Sequence, residues 1–173
     1  MIIAIDPGIR NLAISFYNQT DGFYKLLVLD ITEGAITNVN KTPVKNLIDH
    51  LVKFFNKCLK PEFEGAAKII IEQQLSKSIK MTSIMWSLYV LCKNMCNHVY
   101  LQQAYKKNEV LAFQRGRSYN TTKKLSIEIV QKLMDEKKVP FSDDAIQTFK
   151  KSKKKDDVAD SIIHVIVHEK IAI

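Results

Sequence analysis

Cysteine is scarce: three in 173 residues, at positions 58, 92 and 96. An odd number at those spacings does not make a disulfide framework, so all three read as reduced, buried thiols. Cys92 and Cys96 lie one helical turn apart, which fits small core side chains better than a metal pair. Glycine (five) and proline (four) are equally sparse, and collagen-like or low-complexity architectures are excluded. No stretch approaches the ~20 apolar residues of a membrane span. The most apolar helical run, 81–96, has Lys80 at its edge and Lys93 within it. Asp6 follows five residues that include no positive charge, so no secretory leader is expected and the protein is read as soluble and intracellular.

What the sequence does have is a globular balance and an excess of positive charge. Apolar residues make up 46% and charged residues 25%, and 173 residues suit a single domain, 1–173, that buries a core unaided. Lysine and arginine number 26 against 18 acids, a net charge of +8. The excess is concentrated. Between 105 and 124 stand Lys106, Lys107, Arg115, Arg117, Lys123 and Lys124 against Glu109. Between 137 and 155 seven lysines, Lys153 and Lys154 among them, face Asp143 and Asp144. Positive charge gathered in this way suits a polyanion, most often nucleic acid. The plainer alternative is solvated loop surface.

Residues 1–6 are a short apolar run stopped by Asp6-Pro7-Gly8, a strand and a turn. Residues 11–17 alternate Leu12, Ile14 and Phe16 with Ala13 and Ser15. Asp21-Gly22 is a hairpin signal and 23–31 a third strand, which predicts three antiparallel strands. Pro43 opens a helix to about Lys60 with Leu47, Leu51, Phe54, Phe55 and Cys58 inward, broken by Pro61 and Gly65. Residues 68–72 form a continuous apolar run closed by Glu72, as expected of a strand buried on both faces. A helix over 77–97 carries two adjacent apolar stripes, Ile84/Leu88/Leu91/Met95 and Met81/Met85/Tyr89/Cys92/Cys96. Either the whole helix is buried, or one stripe packs on the sheet and the second forms a dimer contact. A strand over 98–103 follows, then an irregular basic segment. Thr121 or Thr122 caps a helix to about 138, and shorter helices span 142–150 and 155–169. This order predicts an α/β fold with a five-stranded mixed sheet flanked by helices.

Four acids stand where chemistry gathers in such folds. Asp6 and Glu72 end strands, and Asp157 and Asp160 open the last helix three residues apart on one face. Asp156 is either the cap of that helix or part of the site. Carboxylates in this arrangement, within a basic chain, match a two-metal phosphodiesterase pattern. Tyr105, Phe113 and Tyr119 interleave with the basic residues and serve either as base-stacking rings or as loop anchors. His164 and His168 follow Asp160 at four-residue intervals. They are read first as core or solvent residues, with a position near the metals as the lesser alternative.

Asp6-Pro-Gly, Ile71-Glu72-Gln73-Gln74 and, above all, Lys155-Asp-Asp-Val-Ala-Asp160-Ser resemble the RuvC-type Holliday-junction resolvases. The poxvirus and large-DNA-virus branch is the most similar, sharing also Ser118-Tyr119 followed by Lys123-Lys124. The resemblance implies an RNase H-like fold and a homodimer, with helix 77–97 as a candidate contact. It implies paired nicking of four-way DNA junctions that leaves 5′-phosphate and 3′-hydroxyl ends, dependent on Mg2+ or Mn2+ ions bound as a pair. The setting would be viral replication inside a host cell. Asp6, Glu72, Asp157 and Asp160 become the metal ligands. Lys124, which matches a Lys-x-x-Ile pattern with Ile127, becomes the basic residue near the scissile phosphate, with Lys123 its close competitor. DNA contacts are expected from Gln73, Gln74, Lys106, Lys107, Arg115, Arg117, Tyr119, Lys123, Lys153 and Lys154. Gln73 and Gln74 stand where many relatives carry Arg, and the segment before Lys123 is longer than in that branch.

Three other functions share parts of this pattern. An ATP-binding relative of the fold would need a second Gly-rich phosphate turn, which five scattered glycines do not supply. A nuclease acting on RNA–DNA hybrid or on flaps would use the same four acids. A non-catalytic junction-binding module would have no need to keep them all.

Overall fold

A computed structural model of the chain describes residues 1–74, 78–109 and 119–172. Its one five-stranded sheet has the order β3-β2-β1-β4-β5, with β1 Ile2–Asp6, β2 Leu12–Asn18, β3 Gly22–Leu29, β4 Lys68–Gln73 and β5 Val99–Gln103. The first three strands form an antiparallel meander, as their alternation and the Asp21-Gly22 turn predict. β4 runs parallel to β1, and β5 parallel to β4. The helices among the described residues are α1 (Val44–Phe54), α2 (Lys60–Phe63), α3 (Ile79–Lys93), α4 (Tyr119–Asp135), α5 (Asp143–Lys151) and α6 (Lys155–Glu169).

Alternate strand residues feed two cores. Ile3, Ile5, Ile69 and Ile71 meet Leu47, Leu51, Ile84 and Leu88 from α1 and α3. Ile2, Ala4 and Ile70 face the other way, onto Val130, Phe149, Val158 and Ile162 from α4, α5 and α6. Helices on both faces explain why β1 and β4 read as unbroken apolar runs: no side of these central strands meets water. Each fully buried Leu, Ile or Phe contributes ~1.5–3 kcal/mol of transfer free energy. The expected α/β class and mixed sheet are as found.

Three local expectations are corrected. Pro61 does not end the first helix. The chain continues from α1 through a π-helical turn, Phe55–Leu59, into α2, where Pro61 occupies the first turn and its missing N–H costs nothing. Through that turn Phe55, Leu59 and Phe63 are all buried. Neither Thr121 nor Thr122 caps α4, which has already begun at Tyr119. On α3, Met85 is not part of an outward stripe, because it is buried beside Ile84 and Leu88. The outward apolar residues are Ile79, Trp86 and Val90, with 74%, 49% and 58% exposure. Helical spacing assigns residues to faces but does not say which apolar face turns inward when nearly all faces are apolar.

Gly22 joins β2 to β3 with φ +71, and a Cβ there would lie 2.1 Å from the Pro140 carbonyl oxygen. That same oxygen accepts the Phe23 N–H at 2.9 Å, tying the hairpin to the chain entering α5. Gly34 also has positive φ, +79, but open space around its Cβ position. Gly34→Ala should therefore lose only the left-handed backbone cost, ~1–2 kcal/mol. Gly22→Ala should lose distinctly more. Urea denaturation of the two variants reads the difference directly, and equal losses would mean that the Pro140 contact yields freely.

Candidate active site

β1 and β4 are parallel and paired with Ile5 opposite Ile71, so the next residue on each strand is an acid: Asp6 beside Glu72. The chain leaves β1 through a turn with no room for a side chain, since a Cβ on Gly8 would lie 2.3 Å from the Asn11 carbonyl oxygen. α6 packs across β1 and β2 and is pinned there by the Ser15 hydroxyl, which donates to the Ser161 carbonyl at 3.0 Å. Its opening turns carry Asp157 and Asp160 over the same strand ends. The four acids line one cleft of about 710 Å³ together with Gln73, Gln74, Tyr105, Lys107 and Lys123. Sequence reasoning named all four acids, and the fold brings them together.

The basic residues are distributed differently from expectation. Lys107, expected as a DNA contact, has a mostly buried side chain at the cleft. It projects from the 3-10 turn Ala104–Glu109 into the acids, with Nζ 2.5 Å from Asp160 Oδ2 and 3.2 Å from Glu72 Oε1. Lys123 pairs with Asp156 and lies 3.8 Å from Asp157 Oδ1. Lys124, the favoured residue from sequence, is exposed and does not line the cleft. Consecutive helical residues point about 100° apart, so only one of the pair can face the acids. Asp156 is a first-turn residue of α6 rather than its cap, a position held by Lys154 without a side-chain hydrogen bond.

Gln74 Nε2 donates to Glu72 Oε2 at 3.3 Å. Lys106 Nζ lies 6.0 Å from the centroid of the exposed Tyr105 ring. Lys153 and Lys154 line a second groove of about 880 Å³ between β3 and α5, with Lys25 and Lys151; Asn11 lines both this groove and the acidic cleft. Phe113, Arg115 and Arg117 lie outside the described residues, as does the Tyr119 side chain.

Two neighbours of Glu72 complete the site: Gln102, which the sequence did not single out, and His164, for which a position near the acids was the lesser alternative. His164 is wholly buried, with Nε2 3.4 Å from Glu72 Oε1. Gln102, opposite Glu72 in the β4–β5 register, hydrogen-bonds that imidazole. The available signal was helical: His164 follows Asp160 by one turn and shares its face.

Crowding of like charge sets the proton affinities. Burial drives the Asp6 carboxyl well above the usual range, and Glu72, Asp160 and Asp157 push it further. Asp157 is pushed up to about 6, by burial first and then by Asp156, against the pull of Lys123. Burial also opposes ionisation of Glu72, but the His164 ring beside it, Asp6 and the charge of Lys107 outweigh it, and its carboxyl is held below its ordinary value. Burial works against the Lys107 charge too, yet Glu72 and Asp160 more than offset it and raise the ammonium's pKa.

Four hard oxygen-bearing groups, two of them made reluctant to ionise by burial and by neighbouring carboxylates, fit a divalent cation, which relieves that repulsion directly. Among the described residues no three such side chains are already arranged around a common point. The Lys107 ammonium lies between Glu72 and Asp160 instead. A divalent cation held by these acids would favour their ionised forms and would compete with Lys107 for Glu72 and Asp160.

The sheet order and helix placement are those of the RuvC-type, RNase H-like class. The yeast mitochondrial Holliday junction resolvase Ydc2 matches with a TM-score of 0.65 at 18% identity, covering 96% of this chain and 76% of its own. The Fowlpox virus resolvase, solved with its substrate Holliday junction DNA, gives 0.60 at 20% identity over 99% of each chain. Thermus thermophilus RuvC in complex with a Holliday junction substrate gives 0.58 at 13% identity, covering 97% and 92%. No curated protein matches the sequence. Residues 1–168 match the Poxvirus A22 protein family, and the chain belongs to that family.

Protons and metal compete for the same oxygens, which gives a sign to the pH dependence. Asp157 is largely ionised above its value of about 6 and protonated below it. Mn2+ affinity, followed by the paramagnetic resonance of free ion, should accordingly fall as pH drops through 6. An affinity flat between pH 7 and 5 would remove Asp157 from the ligand set.

Proposed function

We propose that this chain is a metal-dependent endonuclease that resolves four-way DNA junctions, with residues 1–173 acting as one nuclease domain. The observation that carries this reading is the convergence of Asp6, Glu72, Asp157 and Asp160 in one cleft of a Poxvirus A22 family chain. The acids hold the metal, which we take to be a pair of Mg2+ or Mn2+ ions. When bound, such ions supply an acidified water and charge neutralisation at the scissile phosphate. Lys123, at the cleft wall beside Asp157, offsets negative charge building on the phosphoryl oxygens. Gln73 and Gln74 offer neutral donors to the backbone or base edges. Water attacks phosphorus, the 3′ oxygen leaves, and the products are 5′-phosphate and 3′-hydroxyl ends.

The groove between β3 and α5 extends the DNA path. Lys151, Lys153 and Lys154 line it beside Asn11, which connects it to the acids. Paired nicks on opposed strands need two centres related by a two-fold axis. We propose that the exposed Ile79, Trp86 and Val90 of α3 form the contact between two copies, in place of the Met85 stripe. No helix among the described residues is long and apolar enough to cross a membrane.

A labelled synthetic four-way junction, incubated with Mg2+ beside linear duplex and RNA–DNA hybrid, tests the reading. Symmetric paired nicks with the duplex spared support it; cutting of the hybrid alone transfers the enzyme to a ribonuclease role. Asp157→Asn and Asp160→Asn should abolish nicking yet bind the junction as tightly as the parent, since removing negative charge does not weaken a phosphate grip. Lys123→Ala should slow nicking by ~10²-fold, while Lys124→Ala stays close to the parent rate; the reverse order would restore Lys124 as the basic residue. Trp86→Glu with Val90→Glu should give monomers by light scattering, and an unchanged mass would discard the α3 contact.

A further inference from the structure

Three polar side chains are buried where the ends of β4 and β5 meet α6: Glu72, Gln102 and His164, with 6%, 8% and 0% exposure. Polar groups at such depth are normally paired; here Gln102 is hydrogen-bonded to His164, and the far side of the His164 ring faces Glu72. Gln102 Nε2 lies 2.7 Å from His164 Nδ1 and 3.2 Å from the His164 carbonyl oxygen. The second contact decides the amide orientation. A carbonyl oxygen only accepts, so the atom facing both groups is the NH2. An NH2 donating to Nδ1 leaves that nitrogen bare, and in the neutral ring the proton is then on Nε2. Among the described residues Nε2 has no hydrogen-bond partner; Glu72 Oε1 lies 3.4 Å away without hydrogen-bond geometry. At the outer end, Gln102 Oε1 accepts from His168 Nδ1 at 3.2 Å, and His168 packs on Tyr100 with ring centroids 4.8 Å apart.

We propose that Gln102 and His164 are positioning residues for Glu72: the Gln102 amide holds His164 as its Nε2–H tautomer, and that N–H anchors Glu72 Oε1, leaving Oε2 on the cleft side as the metal-facing oxygen. Oε2 already faces the cleft-lining Gln74, whose Nε2 reaches it at 3.3 Å. Lys107 shares Oε1 at 3.2 Å, so His164 keeps that oxygen in place once Lys107 is drawn away. The same tautomer excludes His164 from the ligand set, because its Nε2 lone pair is taken by the proton. Partners of this kind hold metal-ligand geometry, and their removal typically costs 10–100-fold in metal affinity. The inference rests on Glu72 being a metal ligand.

The test begins with the unaltered, metal-free chain carrying 15N-histidine, at pH about 8, above the ordinary imidazole value of about 6.5. Long-range proton–nitrogen correlations should show His164 as Nε2–H; an Nδ1–H ring, or a ring protonated at both nitrogens, overturns the proposal. Gln102→Leu should lose the single tautomer, and retention of it assigns the ring's orientation to something other than Gln102 and overturns that half. His164→Leu should weaken Mn2+ binding by about 10–100-fold, with His164→Gln, which restores an N–H donor, recovering most of it. Junction binding without metal should stay as in the parent, and loss of both kinds of binding would reduce His164 to a structural residue. Glu72→Gln separates the two layers of the argument. If it loses Mn2+ affinity while His164→Leu does not, the positioning role alone fails; if neither loses it, the metal-site reading fails as well.

Discussion

Electrostatic repulsion among Asp6, Glu72, Asp157 and Asp160 is the constraint on which the rest of the site depends. Parallel pairing of β1 with β4 sets two of these acids side by side, and α6 lowers two more onto them. Left alone in a buried cleft, four negative charges would not stay ionised together. The protein meets this in three ways: an Asp6 carboxyl whose proton affinity is raised by burial and by its neighbours, a Lys107 ammonium between Glu72 and Asp160, and Lys123 on the outer side at Asp156 and Asp157.

The surrounding fold serves to hold that unfavourable cluster rigidly. Two apolar layers clamp the central strands, so the strand ends cannot separate to relieve the charge. Ser15 fixes α6 at the depth its acids need, and Gly8 lets the chain turn away immediately after Asp6. A site under electrostatic tension needs this kind of support, because a shift of an ångström would let the acids move apart. Membership of the Poxvirus A22 family and the likeness to resolvases solved with junction DNA agree with a cleft built for phosphate chemistry.

Much of this was legible before any coordinates. Strand alternation, the Asp21-Gly22 turn and the apolar run before Glu72 led to the correct sheet, and strand-end position singled out Asp6 and Glu72. The points that spacing left open or misplaced share a cause. Lys123 and Lys124, the stripes of α3, and Lys107 all depend on which way a side chain turns relative to the rest of the molecule. Pro61 was misread because its usual effect, breaking a helix, disappears when it occupies a first turn.

By itself the sequence determined the element order, the burial of the central strands and the identity of the four acids. These follow from local periodicity and from residue types that few positions tolerate. Only the tertiary structure decided which lysine neutralises which acid, that Trp86 and Val90 rather than Met85 face outward, and that Gln102 and His164 lie behind Glu72. Those are contacts between residues 30 to 90 positions apart or more, as in the Gln102–His164 and Glu72–His164 pairs. Nothing in local spacing encodes the direction from which a distant helix or strand will deliver its side chain.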